Sequence, residues 1–100
     1  LAAEYMWRVQ KYRARNPYYH FAVATQAYEE GRLPDSLAAL RKALRLKRDE
    51  SRFHSLRGQV QEDLGRTSDA AQSFARAREY LEAEKARTRA RIVFDALAVR

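Results

Sequence analysis

The chain repeats itself at a spacing of 34 residues. Gly31-Arg32-Leu33-Pro34-Asp35-Ser36 is answered by Gly65-Arg66-Thr67-Ser68-Asp69-Ala70. Laying residues 17–50 over 51–84 also aligns His20 with His54, Ala43 with Ala77 and Glu50 with Glu84. A fixed period of this length belongs to stacked repeats, in which one supersecondary unit recurs and each copy buries its apolar face on the next. That restricts the fold more tightly than composition does. It also points function toward recognition on an extended surface rather than toward chemistry in a closed cleft.

Each unit reads as two helices. Asn16-Pro17 is a helix start: the Asn side chain can accept from the first free amides, and proline fits the first helical position. The spacing predicts a helix from about Pro17 to Glu30, ended by Gly31. Pro34 opens a second, with Leu37, Leu40, Ala43, Leu44 and Leu46 at helical spacing. After a polar turn at 47–50, Ser51 begins a third helix that ends at Gly65. Thr67 or Ser68 caps a fourth, carrying Ala70, Phe74, Ala77 and Leu81. Residues 1–15 form a helix whose Ala2, Met6 and Val9 align with Ser36, Leu40 and Ala43, so it matches the second half of a preceding unit. Residues 85–100 are predicted to be a capping helix, with Ile92, Val93, Ala96 and Leu97 turned onto the last unit. Only three glycines and two prolines interrupt the chain. The expected fold is all-α, a solenoid of antiparallel helix pairs with about five to six helices, in one domain spanning residues 1–100.

The residues in register resemble the tetratricopeptide repeat. The second unit offers Gly58, Gly65, Ala70, Phe74 and Ala77, and the first offers Val23, Ala24, Gly31, Ser36, Leu40 and Ala43. The resemblance covers residues 17–84 and extends by half a unit to 1–15. It implies a right-handed superhelix in which Ala24, Gly58, Ser36 and Ala70 let paired helices approach closely. The chain departs from the pattern at His20 and His54, which fill the opening aromatic slot, and at Arg57, where a large apolar residue is usual. It departs again at Ala27 and Gln61, which replace the second aromatic, and at Arg48 and Glu82, which replace the closing proline.

The resemblance further implies a concave face that binds a peptide or a partner helix. Its outward slots are Tyr18, Phe21, Thr25, Tyr28 and Glu29 in the first unit, and Arg52, Ser55, Gln59, Glu62 and Asp63 in the second. Tyr18, Phe21 and Tyr28 offer large rigid contact area, the usual character of binding hot spots. One subfamily grips a terminal carboxylate with lysine and asparagine. Here those slots hold Phe21, Thr25 and Leu56, so the expected ligand is an apolar or mixed segment tethered by Arg52 through an acidic group.

Other chemistry is less supported. His20 and His54 occupy a packing slot, and no carboxylate or thiol is placed to join them, so neither a metal nor another cofactor is expected. The chain has no cysteine, no phosphate loop and no catalytic motif, and an enzyme is not expected. The uncharged stretch Pro17–Tyr28 is far short of the ~20 apolar residues a spanning helix needs. The net charge of +7, carried mostly by arginine, collects in three clusters: Lys11, Arg13 and Arg15; residues 41–52; and Lys85, Arg87, Arg89 and Arg91. They read as a solvated edge, with an acidic protein or a membrane surface, and then nucleic acid, as the alternative partners. The leading expectation is a protein-interaction scaffold cut from a larger, bacterial-type protein, its compartment not given by sequence. The alternative is a homodimer formed through the unpaired first helix at Met6, Trp7 and Val9.

Overall fold

The computed structural model describes residues 2–98, which form five α-helices: α1 (Ala2–Ala14), α2 (Pro17–Glu29), α3 (Leu33–Leu46), α4 (Ser51–Asp63) and α5 (Thr67–Ala98). The fold is all-helical, and neighbouring helices pack in a manner consistent with a helical repeat. The period is visible in the elements: α2 and α4 begin 34 residues apart, as do α3 and α5. Asn16 caps α2 as its type suggests, its Oδ1 accepting from the Tyr18 amide at 3.0 Å, with Pro17 in the first turn.

The two turns are copies of each other. Gly31 and Gly65 have φ of 78° and 81°, a left-handed conformation that other residues adopt only with strain. The glycine lets the chain reverse, so that the Arg32 amide donates to the Ala27 carbonyl and the Arg66 amide to the Gln61 carbonyl, each at 2.8 Å. These bonds satisfy carbonyls that a helix end would otherwise leave open.

Small residues then set how close the helices come. Ala24 and Ser36 are fully buried, and the Ser36 hydroxyl donates to the Ala24 carbonyl at 2.8 Å across the α2–α3 pair. In the α4–α5 pair the corresponding approach is made at Gly58. A methyl group there would lie 2.8 Å from the Phe74 ring. The core runs through both units, from Ala24, Leu40 and Ala43 to Phe53 and Val60. Phe53, 0% exposed, lies at the junction of the units, its ring centroid 5.0 Å from that of Phe21 and 5.6 Å from that of Tyr18.

The end of the chain corrects one expectation. Residues 67–98 form a single 32-residue helix, and its segment 85–98 is exposed throughout rather than folded back as a cap. The reason lies in the repeat. Shifting the turn at 47–50 by 34 residues lands on Leu81-Glu82-Ala83-Glu84, all strong helix formers, with Ala83 in place of Asp49. Nothing there stops the helix. The segment also lacks the residue that would dock it, because the position of Phe53 falls on Arg87. The expected stripe of Ile92, Val93 and Leu97 is therefore exposed. Val99 and Arg100, the last residues of the expected cap, lie outside the described residues.

Candidate functional site

The residues expected on the recognition face form two clusters along the α2–α4 seam. At one end Tyr18, 42% exposed, donates its hydroxyl to Glu50 Oε2 at 3.0 Å. The Arg52 guanidinium lies over the rings of Tyr18 and Phe21, at 5.5 and 5.9 Å from their centroids, and its Nε donates to Glu50 Oε1 at 3.0 Å. Desolvation, then the bond to Glu50, raises the Tyr18 pKa. Burial alone would raise Glu50, but its bonds to Arg52 and Tyr18 hold its carboxyl below the ordinary range. Arg52 thus has an internal acid already, which an incoming carboxylate must displace or share. Phe21 is half-buried against Phe53 and contributes an edge to this cluster rather than a free ring.

At the other end the half-buried Tyr28 donates to Asp63 Oδ2 at 2.7 Å, and Gln59 donates to Asp63 Oδ1 at 3.1 Å. The bond to Asp63 is the main cause of a raised Tyr28 pKa. Thr25, between the clusters, turns its hydroxyl back to the Phe21 carbonyl at 2.9 Å. Ser55 and Glu62 are exposed on α4.

A cleft continues from the first cluster. It occupies about 610 Å³ between α4 and α5, lined by Ser51, Arg52 and Ser55 on one side and Phe74, Ala77, Arg78 and Leu81 on the other. Reading by repeats assigns Phe74 and Ala77 to packing, because their counterparts Leu40 and Ala43 are fully buried beneath α4. Among the described residues no further helix packs over this pair, and Phe74 is half-buried while Ala77 remains buried. The signal was available: Arg87 stands where a copy of Phe53 would be needed.

The two histidines perform one task twice. His20 Nε2 lies 2.8 Å from the Ala14 carbonyl and His54 Nε2 lies 2.7 Å from the Arg48 carbonyl, six residues upstream in both cases. A carbonyl can only accept, so Nε2 carries the proton in each ring. At His54 the other nitrogen accepts from Arg57 Nη2 at 3.3 Å, and the ring stacks on Tyr80 at 5.1 Å. Burial pushes the His54 pKa down. The Arg48 carbonyl opposes this, and repulsion from Arg57 and Arg76 adds to it.

A group whose folded pKa lies below its unfolded value contributes stability above about pH 6.5, and that contribution is lost as pH falls through the folded pKa. The urea midpoint is therefore expected to fall between pH 7.5 and 5.5. His54→Phe should flatten that slope. The lowered carboxylates Glu30, Asp49 and Glu50 start to lose their share only below their ordinary values of 4.5, 3.8 and 4.5, outside the window. An unchanged slope in His54→Phe would show that His54 is not responsible.

The first helix carries the residues expected for self-association. Met6 is 54% and Trp7 60% exposed, while Val9 is half-buried, and α1 buries no residue fully. Lys11 Nζ sits 4.8 Å over the Trp7 ring. Among the described residues, no three side chains of His, Cys, Asp or Glu gather as a metal site, and no helix is long and apolar enough to cross a membrane. Compared with known proteins, the chain matches no family model, no curated protein and no solved structure.

Proposed function

We propose that the chain is a short array of tetratricopeptide type that binds a peptide or a partner helix, with no catalytic role. The binding surface joins the Tyr18–Arg52 cluster to the groove between α4 and α5. The observation that carries this reading is the groove itself: Phe74, Ala77 and Leu81 form an apolar wall, and Arg52 and Arg78 stand beside it. Its chemistry favours a segment with apolar side chains along one face and an acidic group for an arginine. The equivalent turns, the paired histidine bonds and the 34-residue spacing of helix starts support the repeat assignment. On this reading the chain is a recognition piece of a larger protein.

Panning a random 12-residue peptide library on the chain tests it. Selected peptides should be enriched in acidic and apolar residues, and Arg78→Glu combined with Tyr18→Ala should weaken them at least tenfold. Both residues are exposed, so helicity should be retained. Selected peptides that bind the double variant as tightly as the parent chain would refute the proposal.

A second reading, self-association through α1, is favoured by the exposure of Met6 and Trp7 on a helix with no fully buried residue. Sedimentation of the chain and of Met6→Ala/Trp7→Ala separates the two. A dimer that dissociates in the variant supports this reading, and a monomer in both removes it.

A further inference from the structure

The polar residues that break the repeat pattern are not scattered. In the first unit Val23, Ala27 and Ala39 occupy three positions whose counterparts in the second are Arg57, Gln61 and Ser73. The structure brings those three together. Arg57 Nε donates to Ser73 Oγ at 3.1 Å, and the Ser73 hydroxyl donates to Gln61 Oε1 at 2.6 Å. Three apolar residues have thus been exchanged for three that bond to one another. The first unit shows that the fold is satisfied without them.

Arg57 is half-buried, with Nε bonded to Ser73 and Nη2 to the His54 ring, which leaves Nη1 free to donate. Among the described residues it forms no salt bridge, nor do Arg41 and Arg66. The contrast with the first unit is direct. Arg32, the counterpart of Arg66, is held by Glu30 at 2.7 Å and Asp35 at 3.2 Å. In the second unit the position of Glu30 is Leu64, and Asp69, the counterpart of Asp35, forms no salt bridge among the described residues. Burial and repulsion from Arg76 lower the Arg57 pKa, with Asp69 partly opposing them, yet a guanidinium stays charged at any ordinary pH.

These arginines surround one cleft of about 220 Å³ at the junction of the two units. Arg41 comes from α3, Arg57 from α4 and Arg66 from the α4–α5 turn, with Gln61, Leu37 and Leu44 completing the lining and no carboxylate among them. The Gln61 oxygen is taken by Ser73, which leaves its NH2 group as a donor.

We propose that this cleft binds a phosphate monoester, its dianionic phosphate held by Arg41, Arg57 and Arg66. Three guanidiniums in a cleft whose lining holds no carboxylate match a dianion better than a singly charged carboxylate, and their planar forks suit bidentate contacts with phosphate oxygens. Leu37 and Leu44 give the carbon side of the ester an apolar wall. A second cleft shares Arg57 and Gln61 but contains Asp69, so it is the poorer anion site.

Phenyl phosphate is the probe, titrated into the isotope-labelled chain and followed by amide and arginine Nε–H resonances. Saturable shifts confined to the α3–α4 junction and the α4–α5 turn are expected. Arg57→Met should weaken binding at least tenfold. That change is compatible with folding, since the first unit carries valine there. Arg66→Gln, at an exposed position, should weaken binding severalfold and keeps the test valid if Arg57→Met fails to fold. Shifts spread over the whole basic surface and matched by sodium chloride at equal ionic strength would overturn the proposal. Phenylacetate binding as tightly as phenyl phosphate would also overturn it, as would undiminished binding in a folded Arg57→Met or Arg66→Gln.

Discussion

Phe53→Ala is expected to destabilise the chain by about 3–5 kcal/mol, the usual cost of removing a fully buried phenyl ring. A domain of this size has about 5–15 kcal/mol in total, so much of its stability would be lost with one side chain. The expected effect is large because of where the ring sits. Phe53 opens α4 yet meets Phe21 and Tyr18 on α2, and it belongs to the same buried cluster as Leu40 and Ala43 on α3. Its loss weakens the seam between the two units as well as the packing within one. The cavity would open beneath Tyr18 and Arg52, so the recognition face would lose its floor. Urea unfolding followed by helical circular dichroism measures the change. Phe94→Ala is the control: Phe94 is 70% exposed, and its removal should shift stability by no more than about 0.5 kcal/mol. A midpoint for Phe53→Ala equal to that of the control would disprove this placement of the core.

Phe53 also shows where reading by repeats stops. Its counterpart is Tyr19, which is 40% exposed, so the two copies give no common signal at that position. What the copies share was legible: the starts of α2 and α4, the left-handed glycines, and the small residues at Ala24 and Gly58. Each is fixed by local backbone chemistry or by a close approach that both units need. What differs between copies depends on neighbours that only one of them has. Phe74 is half-buried and lines a groove, whereas its counterpart Leu40 is fully buried against α4. Arg57, Gln61 and Ser73 look like three separate departures in sequence and become one bonded group only when α4 meets α5. The candidate face was legible as a set of positions. The internal partners of Tyr18 and Tyr28 were not, because Glu50 and Asp63 reach them across the α2–α4 seam.

The pair Gly58 and Phe74 carries the second large expected effect. Gly58→Leu should cost about 2 kcal/mol net, since overpacking against so close a ring lies at the upper end of the usual range, about 3 kcal/mol, and the helix-propensity gain over glycine returns about 1. The obstruction is specific: Phe74 Cδ1 and Cε1 lie 2.8 Å from where a β-carbon would stand. The first unit solves the same approach with Ala24 and Leu40, a larger residue facing a smaller one. Gly58→Ala should therefore respond to its neighbour. With Phe74 present, crowding opposes the propensity gain and the change is close to neutral. With Phe74→Leu, the second unit acquires the pair used by the first, and the same Gly58→Ala change should stabilise by about 1 kcal/mol. Equal effects of Gly58→Ala in the two backgrounds, measured by a double-mutant cycle, would show that the contact does not govern the helix spacing. The cycle also bears on recognition, because Phe74 forms part of the groove wall beside Ser51 and Ser55. In the single Gly58→Ala variant the half-buried ring has to move away from α4 into the groove, so peptide binding should weaken even though stability barely changes. Restoring the spacing with Phe74→Leu should reopen the groove.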